Sequence, residues 1–565
     1  MNTLSHTAVF GPISRACLWC LSLMPLVHCV AVAPGAVMRR LSVAEYRDRM
    51  KAGWIGQMAG VSWGAPTEFK YQDRVVPPSA LPTWTPLMIN NAFHQDDLYV
   101  EMTFLRSLEL HGLDVSIHQA GIDFANSKYP LWCANNAGRN NLRDGIAPPD
   151  SGHPKFNPCP NDIDYQIEAD YSGLIAPGLP NTAIRLGETF GRLMNYGDGV
   201  YGGQFMGAMY AEAFFETDPV RIVEAGLKCI PAGSQYAEMV RDMLRWYREE
   251  PTFWQKTWDR AQKKYREDPQ FQKASNGGID VKINGAYVLM GLLYGKRDPD
   301  QTIIISCRCG QDSDCNPSSS AGVLFTTIGF SKLPDRFTRA LDEKAVFSHT
   351  AYNIPALLDV CEKLARQVVV RAGGRIEKRS DGQEEFVIPV LDPKPSELQL
   401  SWAPGPIADS RFTDAELAQI SELGPRRAFA KFAPGWSIRD CGREMDPGLH
   451  AELAGRKNVY VTHPLNRNVG CTLSRTLHVP ADGKTTLRLV VGHHPKGDWT
   501  LIVRVNGKTL LEKAVGRETA RDGWMTVTAD LSDYAGKSAE LELVNHASGW
   551  EFEGAWWGEI AVETR

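Results

Sequence analysis

Between about Ser42 and Val370, apolar residues recur at helical spacing. Leu98, Met102, Leu105 and Leu108 make one stripe; Met206, Met209, Tyr210 and Ala213 a second; Tyr287, Met290, Gly291 and Tyr294 a third. Each predicts a helix with one buried face. The loops between such segments are long and rich in Pro, Asn and Gly, as in 129–162, and loops of that length in a folded domain are functional or covering. After Gly374 the pattern changes. Val390 to Pro406 is Pro-rich and reads as a linker, and the chain to Gly435 shows no clear period. From about Val459 the period drops to two, in TLRLVV at Thr486, TLIVRVNGKTLL at Thr500, MTVTADL at Met525 and AELELVN at Ala539. Asn506-Gly507 between alternating apolar residues predicts a tight hairpin. The expectation is a multidomain chain: an all-α domain over 37–372, a linker or irregular segment over 373–435, and an all-β, jelly-roll-like sandwich over 436–565.

Composition narrows the function classes. At 565 residues the chain exceeds one ordinary domain of roughly 100–200 residues. Its 43% hydrophobic and 22% charged residues are those of a globular protein, and a net charge of -5 with no basic stripe removes nucleic acid as a partner. Arg15 precedes an apolar run from Ala16 to Ala33, followed by small residues up to Ala36. This predicts a signal peptide over 1–36 and export to the periplasm or the extracellular space. A single-pass or lipid anchor at the same place is the competing reading, and no other membrane partner is expected. Of twelve cysteines, three fall in that leader; the nine others do not form a disulfide framework, though one or two bridges are compatible with export. Cys307, Cys309 and Cys315 lack the paired C-x-x-C spacing of a structural zinc site.

The candidate chemistry lies in acids beside helix starts: Glu68, the pair Asp96-Asp97, and Asp312-x-Asp314. One aspartate before a helix is an ordinary N-cap. Doubled acids repel unless a cation or another partner sits among them, so three clusters on separate loops fit a hard divalent ion as well as they fit caps. Asp162, Asp164, Glu168 and Asp170 form a further acidic passage, either lining a pocket or starting a solvated helix. His94 is a candidate proton carrier or supporting group. Trp54, Trp63, Trp132 and Tyr171 are candidates for stacking on a sugar or for the core, as are Trp499, Trp550, Trp556 and Trp557 in the sandwich.

In their order and intervals these clusters resemble the motifs of the ADP-ribosylglycohydrolase family. Gly53 to Glu68 follows its opening G-A-x-x-G-x-A-x-G-D-A-x-G-x-P-x-E, Gln95 to Leu98 its T-D-D-T, and Gly310 to Asn316 its G-G-D-T-D-[TS]-N. The resemblance covers roughly 42–370. It implies an all-helical fold, with Asp96, Asp97, Asp312 and Asp314 as ligands of one or two divalent ions, Mg²⁺ first and Ca²⁺ as the alternative. It puts Gln95 and Cys315 at positions of hydroxyl ligands, Glu68 beside the scissile bond, and Glu68 and Asp97 in catalytic roles. His94, Asp164, Glu168, Asp170 and Asn316 would contact substrate. Here the family's G-D-A-x-G reads Gly60-Val61-Ser62-Trp63-Gly64, without its acid, and Cys315 is a soft donor poorly matched to Mg²⁺. The β-rich end resembles the galactose-binding-like sandwiches of secreted carbohydrate-active enzymes. The expected function is an exported, metal-dependent glycosidase acting on a ribosyl or other glycosyl bond of a glycan or ADP-ribosyl conjugate. The alternative is a non-catalytic module that binds a sugar or a nucleotide.

Overall fold

The computed structural model describes residues 37–274, 278–442 and 444–565, and the expected leader lies outside them. The three apolar stripes fall on helices Asp96–His111, Asp198–Ala213 and Val281–Tyr294, with their apolar residues buried. No helix among the described residues is long and apolar enough to cross a membrane.

At the centre, helix Val43–Gly64 lies against helix Cys315–Ile328. The first is buried all round from Ala52 to Gly64, the second from Cys315 to Thr327. Glycines spaced four apart make the contact possible. A Cβ on Gly56 would meet the Ala321 carbonyl oxygen at 2.4 Å, one on Gly60 the Pro317 oxygen at 2.2 Å, and one on Gly64 the Ser313 oxygen at 1.9 Å. The partner numbers fall as the glycine numbers rise, so the helices are antiparallel. On the other side of helix Cys315–Ile328, Ser320 Oγ lies 2.9 Å from both the Asn316 and the Val288 carbonyl, so its hydroxyl has a protein acceptor.

The passage 129–162, expected as a loop, contains helix Cys133–Arg143. Its buried face is Asn135, Gly138, Arg139 and Asn141 with Ala134 and Leu142, so it carries no apolar stripe. Hydrogen bonds hold it instead: Asn141 Nδ2 donates to the Ser151 carbonyl at 2.9 Å and Arg139 Nη1 to the Tyr129 carbonyl at 2.7 Å.

Of residues 373–435, expected as a linker or irregular segment, the part up to Ile420 is built into the helical domain, and Leu423 to Ala433 pack on the sandwich core. Strands β1 (Met38–Ser42), β2 (Arg375–Lys378) and β3 (Glu384–Pro389) form an antiparallel sheet in the order β1-β3-β2. A strap then crosses the helices on hydrogen bonds from fixed side chains: Tyr201 Oη donates to the Glu397 carbonyl at 2.7 Å, Ser401 Oγ to Asn161 Oδ1 at 2.6 Å, and the Ala408 and Ser410 amides to Asp150. Asp144 accepts from the Arg426 and Arg427 amides and so caps helix Pro425–Phe432. Phe429 of that helix meets Tyr460 of the sandwich at 4.9 Å.

The sandwich has strands β4 (Ser437–Arg439), β5 (Gly448–Leu453), β6 (Arg456–Thr462), β7 (Cys471–His478), β8 (Thr485–His493), β9 (Trp499–Val505), β10 (Lys508–Val515), β11 (Trp524–Asp530), β12 (Ser538–His546) and β13 (Ala555–Thr564). They pair as two five-stranded sheets, β10-β9-β12-β7-β4 and β11-β8-β13-β6-β5. The β9–β10 hairpin turns at Asn506 (φ 49°) and Gly507 (φ 76°), the two left-handed positions that an Asn-Gly turn supplies. Leu473, Leu489, Val491, Val503, Leu541 and Leu543 fill the space between the sheets. The chain is thus an all-α domain followed by a β-sandwich.

Gly60→Ala tests the central contact. Its methyl meets backbone, which cannot rotate away, and a cost of about 3 kcal/mol or more is expected. Denaturant unfolding would show it, and a change within ~0.5 kcal/mol would contradict the packing described.

Candidate functional site

The glycine seam sets the first half of the site. Because Gly64 touches Ser313, the end of helix Val43–Gly64 meets the start of helix Cys315–Ile328. The two loops that follow and precede these ends are tied together. The Gln311 amide donates to the Tyr71 carbonyl at 3.0 Å, the Phe69 amide to the Gln311 carbonyl at 2.9 Å, and the Thr67 and Ser313 hydroxyls lie 2.8 Å apart. Gly310 takes φ 84° there, with its Cα so close to the Tyr71 carbonyl that a Cβ would sit 2.2 Å from it. Glu68 is thereby held beside Asp312 and Asp314. An amide ladder supports the loop from below: Asn316 Nδ2 donates to Asn284 Oδ1 at 2.9 Å, and Asn284 Nδ2 to Gln311 Oε1 at 3.0 Å.

The second half comes from helix Asp96–His111, which presents Asp97 and, one turn on, Glu101. Short helices Asp164–Ile167 and Asp170–Leu174 add Asp164, Glu168 and Asp170. Their few protein partners are neutral. Asp164 accepts the Asn135 amide at 2.9 Å, Glu168 accepts Asn135 Nδ2, Glu101 accepts the Tyr171 amide at 2.8 Å, and Asp170 accepts Tyr210 Oη at 2.7 Å.

What the side chains do bears on the choice between caps and a cation site. Ser42, Ser116, Asp218, Ser234, Asp280, Asp298 and Asn353 cap their helices by accepting a first-turn amide. Gln95 and Asp314, at the two corresponding positions of the site, do not. Buried oxygens of Asp97, Glu101, Asp164, Glu168, Asp170 and Asp312 have no hydrogen-bond partner. Nor does any basic side chain among the described residues form an ion pair with these groups. Two buried acids elsewhere in the domain do have one: Asp280 with Lys282 at 2.8 Å and Asp242 with Lys264 at 2.7 Å.

Unpaired charge in a dry site raises carboxyl pKa values. Desolvation is the main cause throughout. With Asp162 adding, it pushes Asp164 up to about 8; it pushes Asp170 to about 8 against the opposing Tyr210 bond. Asp312 rises to about 7, and Glu68, at the exposed rim, also reaches about 7 with Asp314 and Asp96 contributing. Asp97, Glu101, Glu168 and Asp314 are held well above the carboxylate range by burial and by neighbouring acids, and Asp96 is raised by burial. Without a cation the cluster therefore holds protons at neutral pH. Asp312, Asp314 and Cys315 bring ligand atoms within 4.8 Å of one another. The Cys315 thiol is itself pushed well above its usual range, by burial and then by Asp312 and Asp314, so it stays protonated beside Asp314 Oδ1 at 3.8 Å.

Among the residues expected to act here, Asp97 is only 1% exposed, which suits a ligand and not a group that meets bulk water. Gln95 and Asp96 are half-buried at the helix start. Asp164, Glu168 and Asp170, expected to contact substrate, are buried and form an inner layer behind Asp97. Asn316, also expected to contact substrate, is fully buried in the amide ladder, because helix Cys315–Ile328 begins inside the core. His94 is exposed with Nδ1 2.8 Å from Ser348 Oγ. Trp54 and Tyr171 are core, and Trp63 packs on Trp84 and Phe337. Trp132, by contrast, is 58% exposed, three residues before Asn135. In the sandwich Trp499 and Trp557 are core at 5.4 Å, Trp556 packs with Val459 and Val461, and Trp550 meets His463.

Sequence reasoning missed Glu101 and Asn135. Glu101 had a signal, an acid four residues after Asp97 between the apolar positions Leu98 and Met102. Asn135 had none. A cleft of about 1500 Å³ under the strap, lined by Arg185, Glu188, Arg192 and Leu398 among others, includes none of the cluster's carboxyls.

The helical domain thus brings carboxylates from three motif loops to one place. The ADP-ribosylglycohydrolase family profile matches residues 42–373, more than half of the chain, and the chain belongs to that family. Among solved structures, an ADP-ribosylglycohydrolase-related protein complex is 15% identical over 57% of this chain and 99% of that one, at a TM-score of 0.36. The CBM22-1 xylan-binding domain of Paenibacillus barcinonensis Xyn10C is 17% identical over 23% of this chain and 86% of its own, at 0.18. A family 35 carbohydrate binding module from an environmental isolate is 21% identical over 21% and 83%, at 0.17. No curated protein matches the chain.

A carboxyl whose pKa is higher folded than unfolded binds its proton more tightly in the native state. Its stabilising contribution is present below the unfolded value and is lost as pH rises through the folded value. For Asp164 and Asp170 that window runs from 3.8 to about 8. The chelated protein is therefore expected to lose stability from pH ~4 to ~8, and Mg²⁺ or Ca²⁺ to restore it most at the upper end. Thermal melts across that range check both; a chelated protein most stable at pH 8 would contradict the electrostatics.

Proposed function

We propose that this chain is an exported, metal-dependent glycoside hydrolase that cleaves a ribosyl or other glycosyl bond of a glycan or an ADP-ribosyl conjugate. The observation that carries this reading is the pair of buried Oδ1 atoms of Asp97 and Asp312, which come from distant segments and have no hydrogen-bond partner, together with the rim carboxyl Glu68, on which Asp96 and Asp314 act. Asp96, Asp97, Asp312 and Asp314 would hold the ion. All four offer oxygen, which suits Mg²⁺ or Ca²⁺, and the Gln95 amide oxygen can add to them. The protonated Cys315 thiol is a poor ligand for either ion and serves as a neighbour of Asp314. When bound, the ion supplies positive charge that orients sugar hydroxyls and offsets charge developing on the reacting oxygens.

The chain's own groups do the rest. Glu68 reaches solvent, and with its carboxyl pushed up to about 7 it can give and take a proton near neutral pH, as a general acid–base group at a glycosidic oxygen must. Asn135 and the Tyr171 amide fix the inner carboxylates. The exposed indole of Trp132 offers a flat apolar face for a sugar ring. The sandwich then binds carbohydrate or braces the helical domain. Export rests on the apolar run after Arg15.

Mass spectrometry of sugar released from an ADP-ribosylated peptide and a broad glycan panel, with Mg²⁺, with Ca²⁺ and with chelator, tests the reading. Chelator-sensitive release is expected. Glu68→Gln should lower kcat by about 10²–10⁴ while calorimetric metal binding is kept; Asp97→Asn should lose both. Retained sugar binding with no release under any metal would identify a binding module instead.

A further inference from the structure

The sandwich begins at a weak point. Strand β4 has three residues, lies at the edge of its sheet and pairs only with β7, where Ser437 faces Ser474 and Arg439 faces Thr472. The ladder ends at the pair Arg439–Thr472 and Asp440 turns the chain with φ 56°, so Cys441 lies two residues past the last pair and Cys471 one residue before it. Beyond it, Cys441 pairs with Pro464 in an isolated bridge and the Gly442 amide donates to the His463 carbonyl at 2.8 Å, so the backbone on both sides of Cys441 is fixed. Cys441 packs against the sandwich core to which Cys471 belongs, and each thiol acts on the other's titration. Cys471 is fully buried and Cys441 half-buried, so Cys441 is the more accessible member of the pair.

We propose that Cys441 and Cys471 are a disulfide site that locks the first strand of the sandwich onto β7 when the chain is in an oxidising compartment. The two thiols lose two protons and two electrons and form one S–S bond. A disulfide oxidant, either a small molecule or a thiol–disulfide oxidoreductase, accepts the electrons and is reduced to two thiols. The bond closes a loop of about thirty residues, enough to restrict the unfolded sandwich appreciably. It also holds an edge strand that few ladder bonds secure. The inference is independent of the glycosidase reading, because it concerns the other domain.

The test equilibrates the purified full-length chain in a buffer of oxidised and reduced glutathione, then denatures, alkylates, digests and weighs the peptides. A peptide carrying Cys441 joined to one carrying Cys471, 2 Da lighter than the two thiol forms together, is expected, and reductant should lower the melting temperature of the sandwich by roughly 5 °C or more. Cys441→Ser should abolish both the linked peptide and the reductant sensitivity. It alters the half-buried member, so it tests the site even if Cys471→Ser does not fold. Alkylation of both cysteines after oxidation, or linkage of either one to a different cysteine, would overturn the proposal.

Discussion

Backbone contact along Gly56, Gly60 and Gly64 governs the geometry of the helical domain. These glycines let helix Val43–Gly64 lie on helix Cys315–Ile328 with no side chain between them. Their register fixes which ends meet, and so brings Glu68 to Asp312 and Asp314 across some 240 residues of chain. A side chain at any of the three would push the helices apart and separate the loops that Thr67–Ser313 and Phe69–Gln311 join. The site is thus a consequence of packing and not of local loop chemistry.

The same rigidity carries an electrostatic cost. Nine carboxyls, Glu68, Asp96, Asp97, Glu101, Asp164, Glu168, Asp170, Asp312 and Asp314, share this region, seven of them buried, and each has its pKa raised. Burying like charges without a counterion opposes folding, and a fold built for stability alone would replace most of them with apolar side chains. Their arrangement makes sense as a trade in which a bound cation offsets the repulsion. The neutral donors Asn135, Tyr171 and Tyr210 hold the inner carboxylates in place without neutralising them.

Much of this was legible in the sequence wherever a period or a motif carried it. Leu98, Met102, Leu105 and Leu108 mark their helix because its buried face is apolar, and Asn506-Gly507 marks the hairpin because few other pairs tolerate two left-handed residues. The acid clusters were visible through spacing and family resemblance, which also fixed their order. Helix Cys133–Arg143 was not visible, since amides and Arg139 make up much of its buried face. The strap reads as a linker from Val390 to Pro406 and as irregular beyond, because it is held by Tyr201, Asn161 and Asp150, whose bonds to it leave no mark on its own sequence. Asn316 looked like part of an open motif, and only the depth at which its helix starts shows it to be a support.

Whether these carboxylates hold a cation decides between a metal site and a cluster of buried acids. Anomalous diffraction from crystals of the chain soaked in Mn²⁺, an ion with the same preference for oxygen, addresses this most directly. A peak at coordination distance from Asp96, Asp97, Asp312 and Asp314 is the predicted result. A clean map there at saturating Mn²⁺, or a peak only elsewhere, would contradict it.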